Sequence, residues 1–318
     1  MKKICVVHLV RAQNDIAPCM RFLESYKQNT GGIEHDLLIV FKGFSHPQDA
    51  AEYQELLASF RHATLYISDE GFDITAYFTA AKRYWEQYHY FCFLNSFSVI
   101  HDREWLSKFY EQISRPGIGL VGATGSWQSH RGSGILWFLM AMSVAAIRDF
   151  RLHSNKPVWI RLALSTRTGW QFGLYIRGYI QFPNYHLRTN AFMISSELMK
   201  KIKFQEIKSK TDAYSFESGI YGLTQQVLKM GKVPLVVGKD GIGYEKERWN
   251  ESMTFWQSEQ ENLLVSDNQT RDYQCGTMER RKYLSNAAWV GFTGWGILNS
   301  NVRRFWREHW KKSTCSSK

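Results

Sequence analysis

Short apolar runs alternate with amphipathic stretches along the first 126 residues of the chain. Runs rich in Val, Ile and Leu predict buried strands, and stretches with apolar residues at three- and four-residue spacing predict helices. Strands that alternate with helices in this way indicate crossover connections and a mainly parallel sheet. The predicted strands are residues 4–10, 35–43, 63–69, 88–94 and 117–126, and the predicted helices are residues 16–28, 48–60, 73–88 and 105–113.

The alternation stops at about residue 129 and returns at residue 186. Regular elements are then predicted over 186–202 and 214–238, where Gly231 has the position of a helix C-cap ahead of a further strand. We therefore expect one α/β domain over residues 1–275, with an insertion at about 129–185. Residues 276–318 are expected to form a separate helical C-terminal tail.

Polar residues follow the apolar run Tyr88–Leu94 directly. They are Asn95, Ser96 and Ser98, an amide and two hydroxyls. In an open α/β sheet, ligands bind in the crevice beyond the carboxyl ends of the strands. The end of this strand is therefore a candidate ligand site whose oxygens are all neutral.

Two stretches carry a resemblance to a known family. They are "SDEGFDITAYFTAAKRYWEQYHYFCFLNS", which ends in Asn95-Ser96, and "FESGIYGLTQQVLKMGKVPLVVGKDGIGYE", which contains Glu217. Both resemble the nucleotide-sugar glycosyltransferases of GT-A type, especially the family 2-like enzymes and the rhamnan-synthesis branch. The resemblance covers about 1–126 and 186–245 and implies a Rossmann-like, mainly parallel sheet flanked by helices, with transfer of a sugar from a nucleotide donor.

The chain departs from this family at the metal motif. The family's strand ends in an Asp-x-Asp motif or an Asn-containing substitute, and here it ends in Asn95-Ser96. A divalent metal that bridges a diphosphate prefers carboxylate ligands. We therefore assign no metal ligand, although Mn²⁺ or Mg²⁺ stays open as a cofactor. Cationic side chains are the alternative for stabilising a departing diphosphate, and the candidates are Arg11, Lys42, Arg188 and Arg248.

The resemblance also implies roles for individual residues. Glu217 is expected to be the catalytic base, because removing the proton of an acceptor hydroxyl needs a carboxylate in the cleft. The alternative is that Glu217 only stabilises a helix N-terminus, and Asp73 has the same alternative as an N-cap. The expected donor-binding residues are Val10, Arg11, Lys42, Asp73, Asn95, Ser96 and Ser98. Independently of the resemblance, His186, Arg188 and Asn190 cluster just before a regular element and are expected to bind the acceptor. Trp249 and Trp256 are expected to stack on its sugar rings, with simple packing as the alternative.

The net charge of +11 is concentrated in two segments. Residues 129–188 hold eight Lys and Arg against one Asp, and residues 276–318 hold nine against two Glu. Both segments are also rich in aromatic residues. Aromatic rings mixed with cations suit the headgroup boundary of an anionic membrane. We expect peripheral attachment there through the tail over 286–312, which includes Trp289, together with the insertion.

Composition limits the location of the protein. The longest apolar stretch has fourteen residues, short of the roughly 20 needed to span a bilayer. Five cysteines without CxxC spacing indicate a reducing compartment. We expect a cytoplasmic glycosyltransferase at the inner face of the membrane, which acts on a glycan or lipid-linked acceptor in bacterial surface-polysaccharide assembly. Two alternatives stay open: an inactive glycan-binding or scaffold relative, and a nucleic-acid-binding protein, although no nucleic-acid motif is present.

Overall fold

A central sheet of eight strands forms the core of the computed structural model, which describes residues 3–129, 131 and 135–291. Numbered along the chain, the strands are β1 (Ile4–Arg11), β2 (Asp36–Lys42), β3 (Ala63–Ile67), β4 (Tyr90–Leu94), β5 (Val99–Ile100), β6 (Ile118–Gly122), β7 (Gly125–Ser126), β8 (His186–Leu187), β9 (Ala191–Ser195), β10 (Val233–Val237), β11 (Gly243–Tyr244) and β12 (Val265–Ser266). The order across the large sheet is β11, β10, β6, β9, β4, β1, β2, β3. Strands β9 and β11 run antiparallel to their neighbours, and the other pairs are parallel. The predicted α/β fold with a mainly parallel sheet is confirmed.

Helices cover both faces of this sheet. In chain order they are α1 (Ala17–Gln28), α2 (Ala51–Leu57), α3 (Asp73–Tyr84), α4 (Trp105–Ile113), α5 (Ile135–Leu152), α6 (Val158–Arg177), α7 (Ser196–Lys201), α8 (Lys210–Ser218), α9 (Leu223–Lys229), α10 (Asn268–Gln274) and α11 (Met278–Trp289). Two short 3-10 helices are formed by Pro47–Ala50 and Lys246–Glu251.

Side chains alternate between two buried clusters along β1. Val7 and Leu9 pack in one cluster with residues of α3, α7, α8 and α9. Val6 and Val10 pack in the other cluster with residues of α1, α2 and α4. Because successive residues of a strand point to opposite faces, these clusters lie on the two sides of the sheet. The continuous apolar run of β1 thus reflects burial on both faces.

The strand order turns at β1, which lies between β4 and β2. Crossover connections lead from β1 towards β2 and β3 on one side, and β4 lies on the other. Ligands of open α/β sheets bind at such a point, beyond the carboxyl ends of the strands. Antiparallel β9 starts at this same edge, because Ala191 pairs with Leu94. The residues before β9 therefore join those after β4.

His8 is buried in β1 without a polar partner. Its ring stacks on Phe22 with 3.6 Å between centroids, and neither ring nitrogen has a hydrogen-bond partner within the described residues. Burial lowers the pKa of His8 from 6.5 to about 3. The imidazole is therefore neutral and acts as an aromatic core residue.

Several predicted boundaries need correction. The helix expected over 73–88 ends at Tyr84, and residues 48–60 divide into a 3-10 turn and α2. Glu217 was expected at the start of a helix, but it is the penultimate residue of α8. The helix-dipole alternative for Glu217 is therefore wrong, because a carboxylate is stabilised at a helix N-terminus and not at its C-terminus.

The insertion forms a helical hairpin, in which α5 and α6 pack on each other. Within the part of the chain that the structure describes, no helix is long and apolar enough to cross a membrane.

The start of the expected tail packs on the domain. In α11, Leu284, Ala288 and Trp289 belong to a buried cluster, and the Trp289 indole N–H donates to the Phe255 carbonyl at 2.8 Å. The prediction that Trp289 contacts a membrane is wrong, because this ring is part of the core. The other anchor residues predicted in the tail, from Phe292 onward, lie outside the described residues.

Candidate functional site

Three charged residues meet where β1, β2 and β3 end. Lys42 Nζ and Arg11 Nη2 each lie 3.2 Å from Asp69 Oδ1, and the Lys42 ammonium also donates to the Glu70 carbonyl at 2.9 Å. The side chain of Lys42 is fully buried. Lys42 and Arg11 therefore share the carboxylate of Asp69 at this edge.

The pKa values of this cluster reflect burial and ion pairing. Burial lowers the pKa of Lys42, and the hydrogen bond to Asp69 opposes that shift. Burial alone would raise the pKa of Asp69, but hydrogen bonds from Lys42 and Arg11 outweigh it and hold the pKa below its usual value. Asp69 is therefore ionised and holds both cations in place.

Asp73 lies in the first turn of α3. Burial raises the pKa of its carboxyl, and the nearby charges of Arg11 and Lys42 oppose the rise. Glu217 is close enough to raise that pKa further. Asp73 is thus within electrostatic range of the cations on one side and of Glu217 on the other. It makes no side-chain cap for α3, so its predicted alternative as a simple N-cap does not hold.

A narrow crevice opens between β1 and β4. Its lining includes Val10, Arg11, Asn14 and Ser96. Within the described residues, Arg11 Nε, Asn14 Nδ2 and Ser96 Oγ are buried without hydrogen-bond partners. Unpaired buried polar groups are costly and call for an explanation. The crevice has a volume of only about 10 Å³, so a single water molecule is the polar partner that it can accommodate.

The loop after β4 does not fit a divalent metal. Asn95 Oδ1 already accepts hydrogen bonds from the Phe97 amide at 3.0 Å and from the Ser98 hydroxyl at 3.1 Å. Among the described residues, no group of three His, Cys, Asp or Glu side chains could hold a metal ion. One free hydroxyl at Ser96 is a poor substitute for the oxygen ligands that Mn²⁺ or Mg²⁺ needs.

A cavity of about 490 Å³ is lined by residues of β7, β8, α8, α10 and α11. It contains His186, Arg188 and Glu217 together, as well as the aromatic side chains of Phe255 and Trp256. These two rings stack on each other with centroids 4.3 Å apart. Polar groups beside apolar ring faces suit a saccharide, whose C–H faces pack on aromatic rings while its hydroxyls form hydrogen bonds.

Thr189 fixes the carboxylate of Glu217. Its backbone N–H donates to Glu217 Oε2 at 2.8 Å, and its hydroxyl donates to the same oxygen at 2.7 Å. Within the described residues, no hydrogen bond holds Glu217 Oε1. One oxygen is thus anchored, and the other is available to accept a proton.

His186 is a neutral neighbour of this carboxylate. Its Nδ1 lies 2.8 Å from the Asn184 carbonyl, which can only accept, so Nδ1 carries the proton and Nε2 is an acceptor. Burial lowers the pKa of His186, and the nearby Glu217 opposes that shift. His186 can accept a hydrogen bond in the cavity but carries no positive charge near neutral pH.

Arg188 forms a buried ion pair at the cavity. Its Nη2 lies 2.7 Å from Asp267 Oδ2, and its guanidinium lies 4.4 Å from the centre of the Phe255 ring. Burial alone would raise the pKa of Asp267, but the charge of Arg188 outweighs burial and lowers it. Arg188 therefore positions the Phe255 wall of the cavity, and its charge is largely neutralised.

Two predicted acceptor residues have other positions. Trp249 is fully buried in the core, and its indole N–H donates to the Tyr244 carbonyl at 2.9 Å. The prediction that Trp249 stacks on an acceptor sugar is wrong, because no ring face is accessible. Asn190 is buried between strands, where its Oδ1 accepts from the Thr124 hydroxyl at 2.8 Å. Arg248, a candidate cation, pairs instead with Glu251 on the surface.

The sequence analysis did not identify Phe255, which lines the cavity, or Thr189 and Asp267, which hold the side chains of Glu217 and Arg188. Thr189 and Asp267 are recognisable only from contacts made over long sequence separations. One sequence feature indicates Phe255: it is adjacent to Trp256, which is predicted to stack on sugar rings. Trp256 has a backbone φ of 51°, which a non-glycine residue adopts at some cost.

Comparisons with known proteins give distant likenesses. No protein-family model matches the chain, and no curated protein matches its sequence. The structure is similar to the mannosyltransferase PcManGT from Pyrobaculum calidifontis in complex with GDP-Man and Mn²⁺, with 10% identity and a TM-score of 0.42 over 76% of this chain and 56% of that one. It is also similar to glucosyl-3-phosphoglycerate synthase from Mycobacterium tuberculosis in complex with Mn²⁺, UDP and phosphoglyceric acid, with 13% identity and a TM-score of 0.36 over 66% and 62%.

A third likeness is to TarS from S. aureus, with 15% identity and a TM-score of 0.29 over 37% of this chain and 21% of that one. The chain thus spans less than two thirds of the length of each of these three proteins. These likenesses are too distant to assign any chemistry to this chain.

Proposed function

We propose that this protein is a glycosyltransferase that moves a sugar from a nucleotide-sugar donor to a saccharide acceptor. The observation that carries the proposal is the anchored carboxylate of Glu217, which lines a polar and aromatic cavity at the carboxyl edge of the sheet. The resemblance of both sequence halves to GT-A type enzymes supports the same function.

The donor is proposed to bind at the ends of β1, β2 and β4. Arg11 and Lys42 supply positive charge for a diphosphate. Because such groups are fixed before the donor arrives, they stabilise the charge that develops on the leaving diphosphate without reorganisation.

The acceptor is proposed to bind in the cavity, against the accessible part of Trp256, because the Phe255 ring is covered by Trp256 and Arg188. One acceptor hydroxyl transfers its proton to Glu217 Oε1 while its oxygen attacks the anomeric carbon of the donor sugar. The bond from that carbon to the diphosphate oxygen breaks, and the nucleoside diphosphate leaves with the electron pair. Because Asp73 is within electrostatic range of both Glu217 and the cations, the two substrates are proposed to meet near it.

We further propose that the acceptor is a glycan or a lipid-linked saccharide, in bacterial surface-polysaccharide assembly at the cytoplasmic face of the membrane. The support is the basic and aromatic composition of residues 129–188 and 276–318. The excess positive charge would attract the protein to an anionic surface that presents such a saccharide.

Isothermal titration of the full chain with UDP-, GDP- and dTDP-sugars tests the proposal. We expect one nucleotide class to bind, and the Arg11→Gln variant to bind it more weakly. A Lys27→Gln variant, which removes an exposed charge on α1, is the matched control and should bind normally. If the chain binds oligonucleotides but none of the nucleotide sugars, the nucleic-acid alternative is favoured.

One observation favours a second candidate, an inactive relative that binds glycans. The oxygen of Asn95 is fully used within its own loop, so this loop offers little to a metal or a diphosphate. Such a protein would bind an acceptor saccharide but would not turn over any donor. Turnover of the donor class that binds therefore separates the two candidates.

A further inference from the structure

One face of α6 exposes large apolar side chains. Trp159, Leu162 and Trp170 are 72%, 60% and 61% exposed. Their spacing of three and eleven residues places them on one side of the helix. These three residues are called the α6 face below. Large exposed apolar groups that share one face mark a surface that contacts another molecule.

The hairpin that carries this face is basic. Residues 135–177 contain six Lys and Arg and a single acid, Asp149. Asp149 is buried at 3% exposure and lies 3.4 Å from His153 Nδ1. Arg151, Lys156 and Arg167 are exposed. The surface around the α6 face therefore carries a net positive charge, because the single carboxylate of residues 135–177 is buried.

Charge complementarity indicates which kind of molecule binds the α6 face. A second copy would bring one basic hairpin against another. Residues 292–318 of the same chain hold six Lys and Arg against one Glu, so they would add positive charge to positive charge. An anionic lipid surface complements both properties, because rings enter the headgroup boundary while cations contact phosphates.

The base of the hairpin is joined to the candidate site. The Ile220 amide donates to the Gly178 carbonyl at 2.9 Å, and Tyr179 forms a β-bridge with Gly219. Gly219 and Ile220 follow Glu217 by two and three residues. A surface that holds the hairpin therefore also fixes the position of the cavity relative to that surface.

We propose that the α5–α6 hairpin docks the protein on an anionic membrane through the α6 face and its surrounding cations. Docking holds the cavity of Glu217 at the lipid surface, where a lipid-linked saccharide presents its sugar. The last step rests on the proposed function, whereas the docking itself does not.

Co-sedimentation of the full chain with vesicles tests the docking. The vesicles contain phosphatidylcholine alone, or phosphatidylcholine and phosphatidylglycerol in equal amounts. We expect binding to the mixed vesicles only, weakened by added salt. The Arg151→Gln/Lys156→Gln/Arg167→Gln variant should bind about a hundredfold more weakly, because each cation at such a surface strengthens binding about fivefold. Trp159→Ala/Leu162→Ala/Trp170→Ala should lower binding by at least about tenfold.

Two control variants change the same kinds of residue elsewhere. Lys27→Gln/Lys82→Gln/Arg83→Gln removes three exposed charges, and Met20→Ala/Ile242→Ala/Met278→Ala truncates three exposed apolar side chains. Both controls should bind the mixed vesicles like the unaltered chain. Circular dichroism melting of every variant checks that the fold persists, and the charge variant remains informative if the aromatic one unfolds.

Equal binding of the hairpin variants and the unaltered chain would overturn the proposal. So would a lack of binding to mixed vesicles, or a dimer in sedimentation velocity that the hairpin variants dissociate, since a second copy would then be the occupant. Vesicle binding needs no turnover, so docking can hold even where no donor is consumed. The proposed link between docking and the site would be wrong if the protein binds anionic vesicles but these vesicles do not change the rate of transfer to a lipid-linked acceptor.

Discussion

Replacing Glu217 with Gln is the most informative single change in the cavity. The amide has nearly the same shape as the carboxylate, and its oxygen can accept from the Thr189 N–H and hydroxyl, as Glu217 Oε2 does at 2.8 and 2.7 Å. The amide nitrogen then takes the place of Oε1. This atom donates hydrogen bonds and cannot accept the proton of an acceptor hydroxyl.

The size of the effect follows from the role assigned to that oxygen. General-base catalysis contributes roughly 10²- to 10⁴-fold to a rate, which corresponds to about 3–5 kcal/mol of the barrier. Because both anchoring hydrogen bonds persist, we expect donor affinity within about twofold of normal. The loss should therefore appear in kcat and not in the binding constant of the donor.

The assay compares kcat for sugar transfer with donor affinity from titration in the same preparation. Asp272→Asn is the matched control, since Asp272 lines the same cavity and pairs with Arg280 at 3.2 Å. It removes a carboxylate of the cavity but not the one held by Thr189, and its kcat should fall by less than about tenfold. Near-normal turnover of Glu217→Gln would refute the assignment of the base.

Three further outcomes are expected. EDTA should leave most of the turnover intact, because Asn95 offers no free oxygen; abolition by EDTA with rescue by Mn²⁺ would contradict this. Thr189→Val keeps the backbone donor but loses the hydroxyl, so kcat should fall by about tenfold with donor affinity unchanged; an equal loss of affinity would indicate a structural role. His8→Leu should reduce the acid sensitivity of stability, measured by urea unfolding. Unfolded His8 gains a proton near pH 6.5, whereas the folded pKa is about 3. Stability therefore falls as pH drops through this window, and the unaltered chain should lose about 2 kcal/mol more than the variant between about pH 6.5 and 5. Parallel losses would contradict the assignment.

The strands and most helices were predictable because their signals are local. The apolar run of β1 and the helical spacing of α1 and α4 lie within single stretches of sequence, and the structure places each within a residue or two of the prediction. The predicted helix end at Gly231 is one residue past the C-cap Met230, and Gly231 has the left-handed φ of 70° that commonly follows a helix. Local periodicity does not show where a pattern is interrupted, so the break between α8 and α9 was missed.

The site was harder to predict because its contacts join distant parts of the chain. The end of β4 was predicted from the rule for open sheets, whereas Arg11 and Lys42 were candidates only as cations for a diphosphate. Thr189 meets Glu217 across 28 residues and Arg188 meets Asp267 across 79, and no sequence pattern marks such pairs. The aromatic side chains were ambiguous for a related reason. Trp249 lies in the core and Trp256 lines the cavity, yet only seven residues separate them.

Donor turnover tests the central claim most directly. The full chain is incubated with the nucleotide sugar that binds and a saccharide or lipid-linked acceptor, and the release of nucleoside diphosphate is measured against the Glu217→Gln variant. The account predicts that the unaltered chain releases nucleoside diphosphate at a rate at least about 10²-fold above the variant, together with a glycosylated product. Tight binding of the donor with equal, background release from both proteins would contradict it.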